Sequence, residues 1–395
     1  MKASETWNTV RSSLLLVATA LLLRLVLAAW SPGSDDVTNF IHTARLVQAG
    51  YNVYQYQPAY PYPPLYAWIL VWTLTLTDAV GIPENLAVRL PAIFADSVIT
   101  LLVFLIARRH YRKGAKYFGW LYALNPITVM IASHQGHFDS LAYLPAIAGV
   151  WLYEASGALS ITAILLGLGG ALKITPTFLA LAWVVGMRNL KQIILFSSLV
   201  VLPTAVVLYW GWQSAPGPFV TNVLGYKPLA TTPWGYNFIM LLAERLSRPL
   251  HWEFISTIAL MLRAGYKYIL LFLISIASLM TRNKIFIERV FLVQISVQLF
   301  AGTWDPQYTA WIVPLAVLSN QRGMLLWGGL TIIWMILIYL GFVMTGALQD
   351  NIFRAATTVG FLSWVALGFW YCANLIKSDR RVFHWFTSPL VKQSN

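Results

Sequence analysis

Two adjacent carboxylates, Asp35 and Asp36, stand directly after the first long apolar run of the chain. Acids at a membrane exit cost free energy unless they are paired or have a function. A carboxylate placed there can take the proton of an attacking hydroxyl. Three further polar clusters interrupt the apolar sequence: the run His134, Gln135, Gly136, His137, Phe138 and Asp139; Lys173 in the stretch LKITP; and the run Trp304, Asp305, Pro306, Gln307 and Tyr308. An ammonium beside a proline break can reach an interfacial headgroup, which makes Lys173 the expected partner for a phosphate. His134 and His137 suit phosphate or sugar, and Asp139 suits sugar hydroxyls. Plain structural readings stand beside these. The two acids can cap a following helix, Lys173 can snorkel to the interface, and Asp305 can form a turn. The two histidines with Asp139 have a metal-compatible spacing that is weak by itself. No metal or other cofactor is expected.

The elements that must position these groups are membrane helices. The 395 residues are 58% hydrophobic and only 10% charged, with a mean hydropathy of +0.65. A soluble domain carries about 25% charged residues. Residues 12–30 are long enough to span and no small-residue cleavage site follows them. The lone Cys372 excludes an intramolecular disulfide or a cysteine-based metal site.

The net charge of +13 is resolved by topology. The run 65–77 is apolar, but a span needs about 20 residues. Read as a re-entrant or surface helix, it leaves about twelve spans, near 12–30, 86–107, 117–133, 140–155, 158–172, 174–187, 191–211, 265–281, 290–302, 307–320, 323–345 and 353–376. One side then collects Lys2, Arg11, Arg108, Arg109, Arg112, Lys113, Lys116, Arg188, Lys191, Arg282, Lys284, Arg289, Arg322, Lys377, Arg380, Arg381 and Lys392. Only Glu5, Glu154, Glu288 and Asp379 oppose them, and the rest of the chain is balanced. The positive-inside rule thus absorbs the excess charge and removes the nucleic-acid reading. Both termini are expected in the cytoplasm and all four polar clusters at the extracytoplasmic side. Arg24 and Asp96, inside spans, are expected to pair with each other or with backbone carbonyls.

The expected fold is all-α: a polytopic transmembrane bundle forming one integral membrane domain over 1–395. Two long extracytoplasmic loops, about 31–85 and 212–264, carry its surface helices. Val37, Phe40, Ile41, Ala44 and Val47 recur at helical spacing before Gly50, which predicts a helix lying on the bilayer with its apolar face down. Pro58, Pro61, Pro63 and Pro64 then impose an extended turn.

Several motifs resemble the GT-C glycosyltransferases, which use polyprenyl- or dolichyl-phosphate sugars. The first loop has Asp36 with Phe40, Ala44 with Arg45, Gly50 with Tyr54, and Tyr62, Pro63, Pro64 and Leu65. This is similar to the first mannosyltransferase of glycosylphosphatidylinositol synthesis and to bacterial mannosyltransferases acting on phosphatidylinositol mannosides. Asn125 and Pro126, the HQGHFD run, LKITP and WDPQYTAWIVPL resemble further elements of these families and of the dolichyl-phosphate-glucose glucosyltransferases. The two acids are adjacent here, where the glycosylphosphatidylinositol enzymes carry Asp-x-Asp. Counted back from Ala44 and Arg45, Asp36 falls where the resemblance places the catalytic base. Asp35 is the alternative, or acts on its neighbour through like-charge repulsion. The resemblance also implies substrate contacts for Arg45, Tyr62, His134, His137, Asp139, Lys173, Asn237, Asp305, Gln307 and Tyr308.

The function implied is inverting transfer of a hexose, most simply mannose, from a polyprenyl-phosphate carrier to a membrane-bound lipid or glycan acceptor. The absence of any Asn-x-Ser/Thr sequon leans towards a prokaryotic plasma membrane over an endoplasmic reticulum membrane. Two alternatives share the helical architecture: a transporter or lipid flippase, and a polymerase or ligase of lipid-linked oligosaccharides. The transporter class predicts internal repeats and polar groups at mid-bilayer. No repeat is visible in the sequence, and only Arg24 and Asp96 fall within spans.

Overall fold

The computed structural model describes residues 3–58, 60–111, 114–226, 265–301, 305–319 and 321–376, with single positions at 238, 245, 257 and 261. Among these the ordered elements are helical. They are α1 (Ala3–Trp30), α2 (Asp35–Gln48), α3 (Val53–Tyr56), α4 (Pro64–Asp78), α5 (Glu84–Ala87), α6 (Leu90–His110), α7 (Ala115–Ala123), α8 (Pro126–Met130), α9 (Asp139–Ser156), α10 (Leu159–Leu172), α11 (Leu181–Val184), α12 (Leu190–Ser214), α13 (Pro216–Phe219), α14 (Tyr266–Met280), α15 (Phe286–Phe300), α16 (Pro306–Thr309), α17 (Val313–Ala316), α18 (Gln321–Val343) and α19 (Gly346–Ile376).

Among the described residues, five helical stretches are long and apolar enough to cross a membrane: Trp7–Trp30, Glu84–His110, Leu190–Ser214, Gly323–Val343 and Gly346–Ile376. The other stretches expected to span fall on shorter or broken helices. The stretch 117–133, for example, is split between α7 and α8 at Asn125, which accepts a hydrogen bond from Ile127 N and is followed by Pro126 at the first helical position. A proline there starts a helix but cannot continue one.

The chain forms two compact units. One comprises Met1–Leu229 with Asp305–Leu318, the other Ala230–Trp304 with Ser319–Asn395. In the first unit α6 is the central helix. Of its apolar window 67% is buried, against 22% for Trp7–Trp30 and 17% for Leu190–Ser214, so the outer helices keep broad apolar faces for lipid. Helix α6 packs on α1, α7 and α9; α10 lies between α9 and α12. Glycines permit that last fit, because a Cβ at Gly167 would stand 2.4 Å from Val200 O and one at Gly169 2.6 Å from Ala142 O. Small residues let helix backbones approach closely without relying on hydrophobic exclusion from water.

The expected intramembrane pair is present. Arg24 Nε donates to Asp96 Oδ2 at 2.5 Å, and Tyr122 Oη and Ser140 Oγ donate to Asp96 Oδ1 at 2.6 and 2.8 Å. The guanidinium also bonds Ala123 O and Thr128 Oγ1. This network ties α1, α6, α7, α8 and α9 together with its charges balanced.

Helix α2 is capped by Ser34, whose Oγ accepts from Asp36 N, so the cap belongs to the serine and not to either acid. The two carboxylates occupy the first turn, where the helix dipole favours negative charge. The amphipathic pattern is real, but its partner differs from the expected bilayer. Val37, Phe40 and Ala44 are buried against Tyr66, Leu70, Leu74, Phe138 and Ala142. The reason is α4, which presents one buried stripe to α2 and leaves Trp72 and Leu76 exposed on its other side.

In the second unit α14 packs on α15, α15 on α19, and α18 with α19 forms an antiparallel hairpin. Trp327 and Trp334 are buried, and Thr331 shares a hydrogen bond of 2.8 Å with Ser363.

Candidate active site

Three segments of the first unit meet around Asp36: the start of α2, the turn between α8 and α9, and the segment carrying α16. The turn is the organiser. Residues Ile131–Gln135 form one π-helical turn that ends at Gly136, whose φ is 70°. A Cβ at Gly136 would lie 2.7 Å from Val37 Cγ2 and 2.8 Å from Arg89 Cγ. The position therefore requires glycine twice over, for its left-handed backbone and for its contacts.

This turn delivers Gln135 to Asp36. Gln135 Nε2 donates to Asp36 Oδ2 at 3.2 Å and to Gln307 Oε1 at 3.0 Å, while Ser34 Oγ donates to Gln135 O at 2.9 Å. One amide thus joins the acid to the α16 segment. Asp35, one residue earlier, is exposed, whereas Asp36 is partly buried. His134 pairs with Ser31 Oγ through Nδ1 at 2.5 Å. Burial, with Arg89 adding to it, lowers the His134 pKa, which favours its neutral form.

Behind this lies a second cluster around Asp139, which is fully buried at the start of α9. Its Oδ1 accepts from Lys173 Nζ at 2.6 Å and from Trp311 Nε1, and its Oδ2 pairs with His137 Nδ1. His137 Nε2 lies 3.1 Å from Tyr62 Oη. Lys173 does not snorkel. Its Nζ sits 5.7, 5.6, 5.0 and 4.9 Å from the ring centroids of Tyr62, Phe138, Tyr308 and Trp311. Such a cage holds a cation where water is scarce. Only one of the three ammonium donors is used on Asp139.

The tyrosine-proline turn positions Tyr62. Tyr54, Tyr60 and Tyr66 are buried and serve packing; Tyr54 Oη donates to Tyr62 O at 3.0 Å. Phe138 stacks on Tyr66 at 3.7 Å and meets the Tyr62 ring edge-on at 4.8 Å. Burial, with Asp36 adding to it, pushes the Tyr62 phenol well above its usual pKa, so it stays protonated. Asp305 stands at the position before α16 without a side-chain capping hydrogen bond and is partly buried. Burial raises its pKa; Lys173 and His137 pull it back, and the charges of Asp36 and Asp139 push it further up.

Of the residues expected at a site, Asp36, Tyr62, His134, His137, Asp139, Lys173, Asp305, Gln307 and Tyr308 come together. Arg45 is not brought to them. It lies nine residues along α2 from Asp36, about 13 Å at the helical rise, and its guanidinium bonds Asp78, Glu84 and Gln48. Asn237 and Trp304 lie outside the described residues. Two residues not singled out from the sequence are central: Gln135 and Trp311. Gln135 sat between two named histidines, but its importance depends on the π turn. Trp311 lies in the WDPQYTAWIVPL stretch noted above, but nothing in the sequence assigns it a role of its own. Among the described residues no group of three or more His, Cys, Asp or Glu could hold a metal ion.

Among the described residues, the arrangement offers a carboxylate held by an amide, a caged ammonium with one donor on Asp139 and two left, and a hydroxyl beside an imidazole. That set can accept a proton, hold an anionic oxygen and orient a polyol. Residues 46–189, over a third of the chain, match the family model described as alpha-(1->6)-mannopyranosyltransferase, N-terminal domain. No match is found among curated proteins. The matched segment carries Tyr62, Gln135, His137, Asp139 and Lys173, and Asp36 lies just before it. Over that segment the chain is similar to a GT-C-type mannosyltransferase family, and the match together with the apolar helices supports a membrane mannosyltransferase.

Proposed function

We propose that the protein transfers a mannosyl residue, with inversion, from a polyprenyl-phosphate carrier to a membrane-associated lipid or glycan acceptor. The single observation that carries this reading is the α16 segment that links the two groups: Gln307 bonds Gln135, which holds Asp36, and the next residue, Tyr308, belongs to the cage around the Lys173 ammonium. The acceptor hydroxyl attacks the anomeric carbon and its proton passes to Asp36. The bond from that carbon to the phosphate oxygen breaks, and the electron pair leaves with the lipid phosphate. Lys173 has donors left to hold that phosphate in a site where water does not compete. The name of the matched family adds an α-(1→6) linkage as the product. Inversion to an α-mannoside requires a donor whose mannosyl phosphate bond is β. The wider reading keeps about twelve spans, cytoplasmic termini and an extracytoplasmic site, as the charge distribution suggests.

The test is transfer by purified protein from synthetic polyprenyl-phosphate sugars of different hexoses. Turnover with the mannosyl donor is expected. Asp36→Asn should stay folded and lose about 10²- to 10⁴-fold in kcat, the range for a general base, while Asp35→Asn keeps most activity. Full activity in Asp36→Asn would remove the base assignment. No turnover of any donor by folded wild-type protein would remove the transferase reading.

A further inference from the structure

We propose that Arg89 is a positioning residue for the transfer: its guanidinium clamps the two backbone segments that carry Asp36 and Gln135. This rests on the transferase reading and adds a residue to its site. Arg89 stands directly before α6 and is fully buried. Among the described residues no carboxylate pairs with it, and its partners are three backbone carbonyls. Nε donates to Asn85 O, Nη1 to Ser133 O at 2.7 Å and Nη2 to Ser31 O at 3.1 Å. The placement is unfavourable on two counts. A buried charge without an opposite charge is expensive, and the N-terminus of a helix disfavours a cation. What the guanidinium supplies in return is geometry, because its planar fork holds two separate acceptors at once.

The carbonyls of Ser31 and Ser133 belong to the segments that meet at Asp36. Ser31 follows α1 and leads through Gly33 and Ser34 into the first turn of α2, where Asp36 stands. Ser133 lies in the π turn, two residues before Gln135. Three bonds then run from the clamp toward the acid. Ser31 Oγ pairs with His134 Nδ1 at 2.5 Å, Ser34 Oγ donates to Gln135 O at 2.9 Å, and Gln135 Nε2 donates to Asp36 Oδ2 at 3.2 Å. The Arg89 stem fills the same corner, since a Cβ on Gly136 would lie 2.8 Å from its Cγ. The bond to Asp36 is at the long end for N–H···O, so a slip of about 0.4 Å between the segments would end it. Arg89 thus acts on the acid through the backbone and through Gln135, without touching either substrate.

The experiment compares Arg89→Lys and Arg89→Met in the full-length protein, alone and in a Gln135→Leu background. Two quantities are read: steady-state transfer from the mannosyl donor, and hydrogen exchange of backbone amides. Lysine keeps the charge but is a point donor that cannot span both carbonyls; methionine keeps a straight apolar stem and removes the charge. Each variant is expected to lower kcat about tenfold or more with KM within about twofold, the pattern of a displaced reacting group. In the Gln135→Leu background the same changes should lower kcat less than about twofold, because the link through which Arg89 acts is already gone. Exchange should quicken at least about tenfold in residues 31–37 and 131–137, while α10 and α12 keep wild-type protection. A residue that merely supports the fold would lower kcat by equal factors in both backgrounds and loosen α10 and α12 as well, and either result overturns the proposal. So does wild-type kcat in either variant, or loss of folding in both, since the clamp is local. Where one variant alone folds, it decides the comparison. Wild-type protein that turns over no mannosyl donor ends the transferase reading, whereas unchanged exchange at 31–37 and 131–137 ends the clamp, so the two failures are told apart.

Discussion

At the scale of single residues, the site depends on who holds the acid. Gln135 Nε2 bridges Asp36 and Gln307, so its loss should misplace the carboxylate without unfolding the bundle. Gln135→Leu is expected to lower kcat about 10- to 100-fold with little change in KM, as small displacements of a reacting group do. Steady-state kinetics with the mannosyl donor check this, and a rise in KM alone would instead assign Gln135 to substrate binding. The acid itself was legible in the sequence, as were both histidines, Asp139 and Lys173, because charged groups in an apolar chain need a reason. Gln135 was not legible as a holder. An amide gives no charge signal, and its reach depends on a π turn that spacing does not reveal. Lys173 was read as reaching an interfacial headgroup or snorkelling to the interface, and not as the partner of Asp139, since 34 residues separate them. Arg45 shows the opposite failure. It stands in a motif that suggested substrate, yet its partners are Asp78 and Glu84, on α4 and beside it on α5.

At the scale of elements, periodicity was readable, while helix starts and docking were not. The sequence offered the two acids as the cap of α2 and one span running through Pro126, whereas the structure starts helices after Ser34 and after Asn125. The amphipathic period of α2 was right, and Val37, Phe40 and Ala44 do form one buried face. Periodicity reports that a face is covered, but it does not say whether lipid or another helix covers it. The π turn is the element most sensitive to change. Gly136→Ala must adopt φ near 70° and push Val37 and Arg89 aside, a combined cost of about 1–3 kcal/mol. We expect a lowered melting temperature in detergent together with a larger loss of kcat, because the same turn carries Gln135. Unchanged stability and activity would mean that the turn relaxes without moving its side chains.

For the molecule as a whole, composition and charge asymmetry indicated a membrane protein, and among the described residues five helices are long and apolar enough to cross one. The remaining apolar stretches are shorter, and hydropathy alone does not tell a short tilted span from a re-entrant helix. Topology can be measured directly, because the chain has one native cysteine, Cys372. In a Cys372→Ser background, a cysteine at Glu84 is expected to react with a membrane-impermeant thiol reagent on intact cells. One at Lys116 should react only after permeabilisation. The reverse pattern would invert the proposed orientation and place Asp36 in the cytoplasm.

The return of Asp305–Leu318 to the first unit sets an order of events during synthesis. Asp36, Tyr62, His137, Asp139 and Lys173 all leave the ribosome long before Gln307 and Trp311, with residues 230–304 emerging in between. Until that late segment arrives, Asp139 lacks its indole donor and Gln135 lacks its second amide partner. On the proposed reading, the site is complete only after residues 305–318 have been synthesised, later than every other residue that lines it.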